Sequence, residues 1–208
     1  MSTYLEQLIQ STNRLNNLMS WKFAGIIFKE DYQDAYPDLL KQLEIKYHQS
    51  AEGFTFSDAI SRDNQATALG IVNGNTLLLN HLIPYDCAYE AGEEGRLDKI
   101  LISLSLEGDI LNYIVDGVSG TYCFSLFSNG IRTHRWAVEP GKVWCNEGNP
   151  VKGEMPPVSE DALTDNTLPD IFARSEDEAH LFAVWEDFIG VSFQELVQND
   201  TLLFHFFL

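Results

Sequence analysis

The chain has 208 residues, 45% of them hydrophobic and 12% aromatic, which suits a folded domain with a sizeable core and excludes a disordered or low-complexity chain. Its 31 carboxylates stand against 13 Lys and Arg, a net charge of −18, so nucleic acid and anionic membranes are poor partners. No apolar run approaches the roughly 20 residues of a membrane helix, and the first 20 residues lack the basic-then-apolar order of a signal peptide; a cytoplasmic location is the expectation.

Residues 3 to 19 are predicted to form an amphipathic helix. Thr3 and Glu6 make a capping box, and Leu5, Leu8, Ile9, Leu15, Leu18 and Met19 share one side. Residues 21 to 29, WKFAGIIFK, read as a buried strand. A second helix is expected over 34 to 47, with Pro37 in its first turn and Leu39, Leu40, Leu43 and Tyr47 as its buried stripe. FTF, from Phe54, reads as an edge strand and SDAIS, from Ser57, as a helical turn. Residues 66 to 72 and 76 to 82 flank Asn73-Gly74, the pair that suits a two-residue type I′ hairpin. Residues 84 to 98 hold Pro, two Gly and several carboxylates and read as a long loop.

A meander of strands is then expected from 100 to 147. KILISLSL is read as its first strand, and DILNYIVD, TYCFSLF, IRTHRWAV and KVWCN follow. They are joined at Glu107-Gly108-Asp109, at GVSG, at Asn129-Gly130 and at a type II turn over Glu139-Pro140-Gly141-Lys142. Alternation in TYCFSLF puts Tyr122, Phe124 and Leu126 on one face and Cys123 and Ser125 on the other. A polar connector follows. Ser175 and Glu178 then read as the capping box of a helix whose apolar stripe is Leu181, Phe182, Trp185, Phe188 and Ile189, with Gly190 after its end. Ser192 and Glu195 box another helix, and TLLFHFFL reads as a buried strand or docked tail.

The predicted fold is α+β: a central antiparallel sheet of about six to eight strands with helices at the N- and C-terminal ends. One domain is expected, with a helix-strand-helix lead-in over 1–50, the sheet over 66–147, an acidic connector over 148–174, and C-terminal helices with an apolar tail over 175–208.

No catalytic motif is present. The five histidines (His48, His81, His134, His180, His205) have no metal-ligand spacing, so no metal or cofactor is expected. His134 reads as a partly exposed strand residue. Cys87, Cys123 and Cys145 are too few and too far apart for a disulfide framework. Cys87, in a loop, is the least implausible nucleophile, but nothing local activates it. Trp136 and Trp144 read as sheet residues packing on neighbours as readily as substrate contacts. Arg132 and Arg135, at i and i+3 on a strand, are expected on opposite faces, one of them paired with a carboxylate such as Glu147 or Glu154.

Charge is the stronger signal. Residues 147 to 200 hold thirteen carboxylates against Lys152 and Arg174, which is −11 of the −18. Such a surface would attract and steer a basic partner, or serve solubility alone. The candidate contacts are Glu160, Asp161, Asp165, Asp170, Glu176, Asp177, Glu186 and Asp187, then Asp86, Glu90, Glu93 and Glu94 of the preceding loop.

The strand pair GVSGTYCFSLFSNGIRTHRW, the closing GKVWCNEGNPVKGE, the helix opened by SEDE and the earlier hairpin GIVNGNTLLLN together resemble small bacterial immunity-type proteins of polymorphic toxin and type VI secretion systems, over about residues 66 to 190. The resemblance implies a cytoplasmic protein that binds and neutralises a cognate toxin, often a nuclease or another enzyme, and the chain itself is not expected to be an enzyme. Such families bind through variable surfaces, so no residue carries over as a contact. The competing classes are a small hydrolase using carboxylates or Cys87, and a non-catalytic adaptor module.

Overall fold

A computed structural model of the chain describes residues 21–61, 66–80, 94–149, 151 and 171–208. The predicted helix over 3 to 19, most of the 84–98 loop and nearly all of the connector lie outside these residues.

Nine described strands form one sheet: β1 (Lys22–Phe28), β2 (Ser50–Phe54), β3 (Thr67–Val72), β4 (Asn75–Leu79), β5 (Ile110–Asp116), β6 (Thr121–Ser128), β7 (Ile131–Glu139), β8 (Lys142–Gly148) and β9 (Phe204–Phe207). The order is β2-β9-β3-β4-β1-β5-β6-β7-β8, and every neighbouring pair is antiparallel. Five described helices pack on it: α1 (Tyr36–Gln42), α2 (Phe56–Ser61), α3 (Arg96–Leu104), α4 (Ile171–Ile189) and α5 (Phe193–Gln198). The α+β class holds, but the sheet has more strands than six to eight, and helices are interspersed among the strands rather than confined to the chain's ends.

The two faces of the sheet are covered separately. On one, Phe23, Tyr113, Tyr122 and Phe124 pack under Phe56 of α2, Leu181, Val184 and Trp185 of α4, and Phe193 of α5. On the other, Ile26, Phe28, Ile110 and Phe127 meet Leu39 and Leu40 of α1 and Leu97, Leu101 and Leu104 of α3. Both faces of β1 and β5 are buried, so β1 reads as an apolar run after Lys22, while β5 buries Asn112 and Asp116 among its apolar residues.

The turns follow their local chemistry. Asn73 and Gly74 both have positive φ, as do Asn129 and Gly130, which a type I′ hairpin requires. Gly141 has φ +73, the value its place in a type II turn demands. Gly25 and Gly70 serve packing instead. Tyr113 lies over Gly25 across the β1–β5 pair, and the Phe204 ring fills the place of a side chain at Gly70 on β3.

Several expectations are corrected. KILISLSL runs through helix α3 to Leu104 and into the turn beyond it, and forms no strand. Gly95 caps the helix, Asp98 accepts from the Gly95 N–H at 2.8 Å, and Leu97, Leu101 and Leu104 form the buried stripe. Ile100, Ile102 and Leu104 also fit period two, which is why the run imitates a strand. The meander therefore has four strands. α1 stops at Gln42: Glu44 takes φ +60 and Ile45 N–H returns to the Leu40 carbonyl, leaving Tyr47 beyond the helix. α4 begins at Ile171, so Ser175 and Glu178 lie inside it and do not cap it. By contrast, Ser192 and Glu195 do box α5, and Gly190, with φ +74, ends α4. The C-terminal run is a strand, inserted between β2 and β3.

Candidate functional site

The solvent face of α4 carries Glu176, Glu186 and Asp187, while Leu181, Val184, Trp185 and Ile189 face the sheet. From residue 175 to residue 208 there are seven carboxylates and no Lys or Arg. Of the sequence candidates, Glu176, Glu186 and Asp187 are exposed on this helix, and Glu94 is exposed just before α3. Asp177 is half-buried, and burial followed by the neighbouring Glu176 charge raises its carboxyl to about 6. Asp86, Glu90, Glu93, Glu160, Asp161, Asp165, Asp170 and Cys87 lie outside the described residues.

Glu178 is buried under α4, and loss of solvent raises its carboxyl to about 7. No charged group enters this shift, so the helix holds a carboxyl near its neutral form at the edge of an apolar core.

Beside the last turns of α4 is a cavity of about 260 Å³. Its walls include Lys29, Asp109, Thr133, Val184, Asp187 and Phe188. The Lys29 ammonium lies 4.9 Å above the Phe188 ring. Lys29 follows β1 and Asp109 precedes β5, joined by the Lys29 N–H donating to the Asp109 carbonyl at 2.9 Å. Only strand pairing brings these distant residues to Asp187, so no sequence spacing announced the cavity.

On the opposite face of the sheet, Asn112, Ser125, Arg135 and Glu147 sit at one register level on four successive strands. Asn112, Ser125 and Arg135 are buried. Arg132 lies on the same face as Arg135, not the opposite one. Leu126 pairs with His134 but Phe127 with Arg132, so Thr133 is an extra residue that resets the alternation of β7. Arg132 pairs with a carboxylate, that of Asp98 on α3. With two guanidinium groups and the carboxylates of Asp98 and Glu147, the region is balanced in charge and suits a structural network better than an anion site. Burial raises the Cys145 thiol, while the charges of Arg135 and Arg132 act the other way. A buried thiol held above its ordinary range is a poor nucleophile.

The histidines that face the core are structural in setting. His134 is buried, contrary to the sequence expectation, because the Thr133 bulge turns it inward. It stacks on Phe124, and its Nδ1 is 2.7 Å from the Asn149 carbonyl. His180 of α4 packs edge-on against Trp136. Among the described residues, no group of three His, Cys, Asp or Glu side chains is placed to hold a metal ion. Trp136 is a core residue, whereas Trp144 bulges from edge strand β8 and is partly exposed beneath the Lys142 ammonium. No described helix is long and apolar enough to cross a membrane.

Compared with protein-family models, with curated proteins and with solved structures, the chain matches none.

Proposed function

We propose that the chain is an immunity-type binding protein that neutralises a cognate toxin, with the acidic face of α4 and its surroundings set against a basic, nuclease-like partner. The reading rests on one observation: the exposed face of α4 presents Glu176, Glu186 and Asp187 in a C-terminal stretch with no Lys or Arg. Such a field raises the encounter rate with a basic protein and orients it before contact. An acidic surface over a nuclease's cationic cleft would occupy the place of the substrate's phosphates. The resemblance of the 117–154 region to immunity-type proteins supports the same reading, which places the protein in the cytoplasm of the toxin-producing cell.

The test is to purify the tagged protein from its source cells, identify co-purifying proteins by mass spectrometry, and express each candidate with and without this chain. The proposal requires a toxic, basic partner whose toxicity this chain suppresses. If no toxic partner emerges, or if the partner remains toxic while bound, the reading is wrong.

A further inference from the structure

We propose that the cavity beside the end of α4 receives an arginine side chain of the basic partner; this rests on the binding reading above and names the pocket that would anchor it. The volume, about 260 Å³, lies below the ~300–1,000 Å³ of sites for drug-sized molecules and suits a single inserted side chain.

The wall chemistry selects the side chain. Leu126, Val184 and Phe188 offer an apolar lining for a methylene stem, while two acidic residues, Asp109 and Asp187, also line the cavity. A guanidinium group matches this combination because it is planar, weakly hydrated, always charged, and able to stack on an aromatic face while donating to carboxylates. The protein already places a cation here, for the Lys29 ammonium lies 4.9 Å over Phe188. Lys29 is exposed on a flexible stem, so an incoming guanidinium can displace it from the ring. Lys29 is then an internal competitor, and removing it should strengthen binding.

The experiment titrates acetyl-Gly-Arg-Gly-amide into the full-length 15N-labelled protein and follows backbone amide shifts. The neutral isostere acetyl-Gly-citrulline-Gly-amide is the control. The expected result is a saturable shift centred on Lys29, Asp109, Ser128, Asp187 and Phe188 with the arginine peptide alone. The Asp109→Asn/Asp187→Asn variant should weaken binding at least about fivefold, and Lys29→Met should strengthen it at least about threefold, as a charge-pairing site with an internal competitor requires. Both changes are at exposed positions, and matching amide spectra will verify the fold. Equal binding of the citrulline peptide, shifts spread over the whole acidic surface, or unchanged affinity in the Asp variant would overturn the proposal. If a toxin co-purifies and is neutralised equally by the wild type and the Asp variant, the cavity proposal fails and the immunity reading stands. If the arginine peptide binds at this site and no toxin is found, the immunity reading fails while the arginine-selective cavity stands.

Discussion

Arg132 of β7 donates to the Asp98 carboxylate of α3 at 3.1 Å, and the same carboxylate oxygen accepts from the Gly95 N–H at 2.8 Å. Asp98 is fully buried, so one side chain both caps the helix and ties it to the sheet. The pair exists because the Thr133 bulge places Arg132 on the face that α3 covers.

Replacing Arg132 by Met should therefore destabilise the fold by about 3 kcal/mol, because it leaves a buried carboxylate without its cationic partner. Exchanging both residues, as Arg132→Met/Asp98→Asn, should cost less than the two single changes added together. Chemical denaturation of the four proteins measures the coupling. Additive losses would show that the pair contributes nothing as a unit.

The two glycines under aromatic rings should respond differently to alanine. At Gly70 the atoms nearest the new methyl group all belong to the Phe204 ring, the closest at 2.7 Å. Gly70→Ala should cost on the order of 1–3 kcal/mol, and a smaller residue in Phe204→Leu should recover part of the loss. At Gly25 the methyl group would also strike the Leu78 carbonyl of the neighbouring strand. Tyr113→Phe should therefore give little rescue there. Thermal melts of the single and double variants are the check, and equal rescue at both sites would contradict the geometry.

Glu178 makes stability depend on pH in a direction opposite to that of a salt-bridged carboxylate. Burial raises its carboxyl from an ordinary glutamate value to about 7, so the folded state holds a proton that the unfolded chain releases. Its contribution is fully present below the unfolded pKa, near 4.3, and is lost as pH rises towards about 7. Asp177, raised to about 6, acts in the same direction over a lower window. Glu178→Gln should stabilise the protein at pH 8 by roughly 1–2 kcal/mol and flatten its stability between pH 5 and 7. Urea midpoints across that range test this; an unchanged slope would place the titration elsewhere.

Association with a basic partner should depend on the outer face of α4. Single exposed charges contribute little, so Glu176 and Glu186 of α4 are best replaced together by Gln. These exposed residues avoid both the cavity and the buried Glu178. Association with the co-purified partner should slow several-fold, and added salt should slow the wild type more than the variant. Wild-type rates with the same salt response would assign these charges to solubility alone and turn attention to the loop before α3.

Locally encoded features were legible in the sequence. Asn73-Gly74, Asn129-Gly130 and Pro140-Gly141 each demand a particular backbone, and Ser192 with Glu195 satisfies the free N–H groups of α5 from within one turn. Strand alternation placed Tyr122 and Phe124 in one core and Cys123 apart from it, because successive side chains leave a strand on opposite sides. The acidity of the α4 face was legible as composition. Tertiary structure alone decided the rest. Run 99–106 satisfies both a two-residue and a helical period, and the Gly95 cap and the apolar surface of β1, β5 and β6 select the helix. One extra residue at Thr133 reverses the facing of all that follows it, so Arg132 and Arg135 share a face and His134 turns inward. The C-terminal strand enters the sheet beside its β2 edge, between strands more than 130 residues earlier, and its phenylalanines are buried there. The cavity joining Lys29, Asp109 and Asp187 has no local signature, since its walls meet only after β1 has paired with β5 and α4 has packed across them.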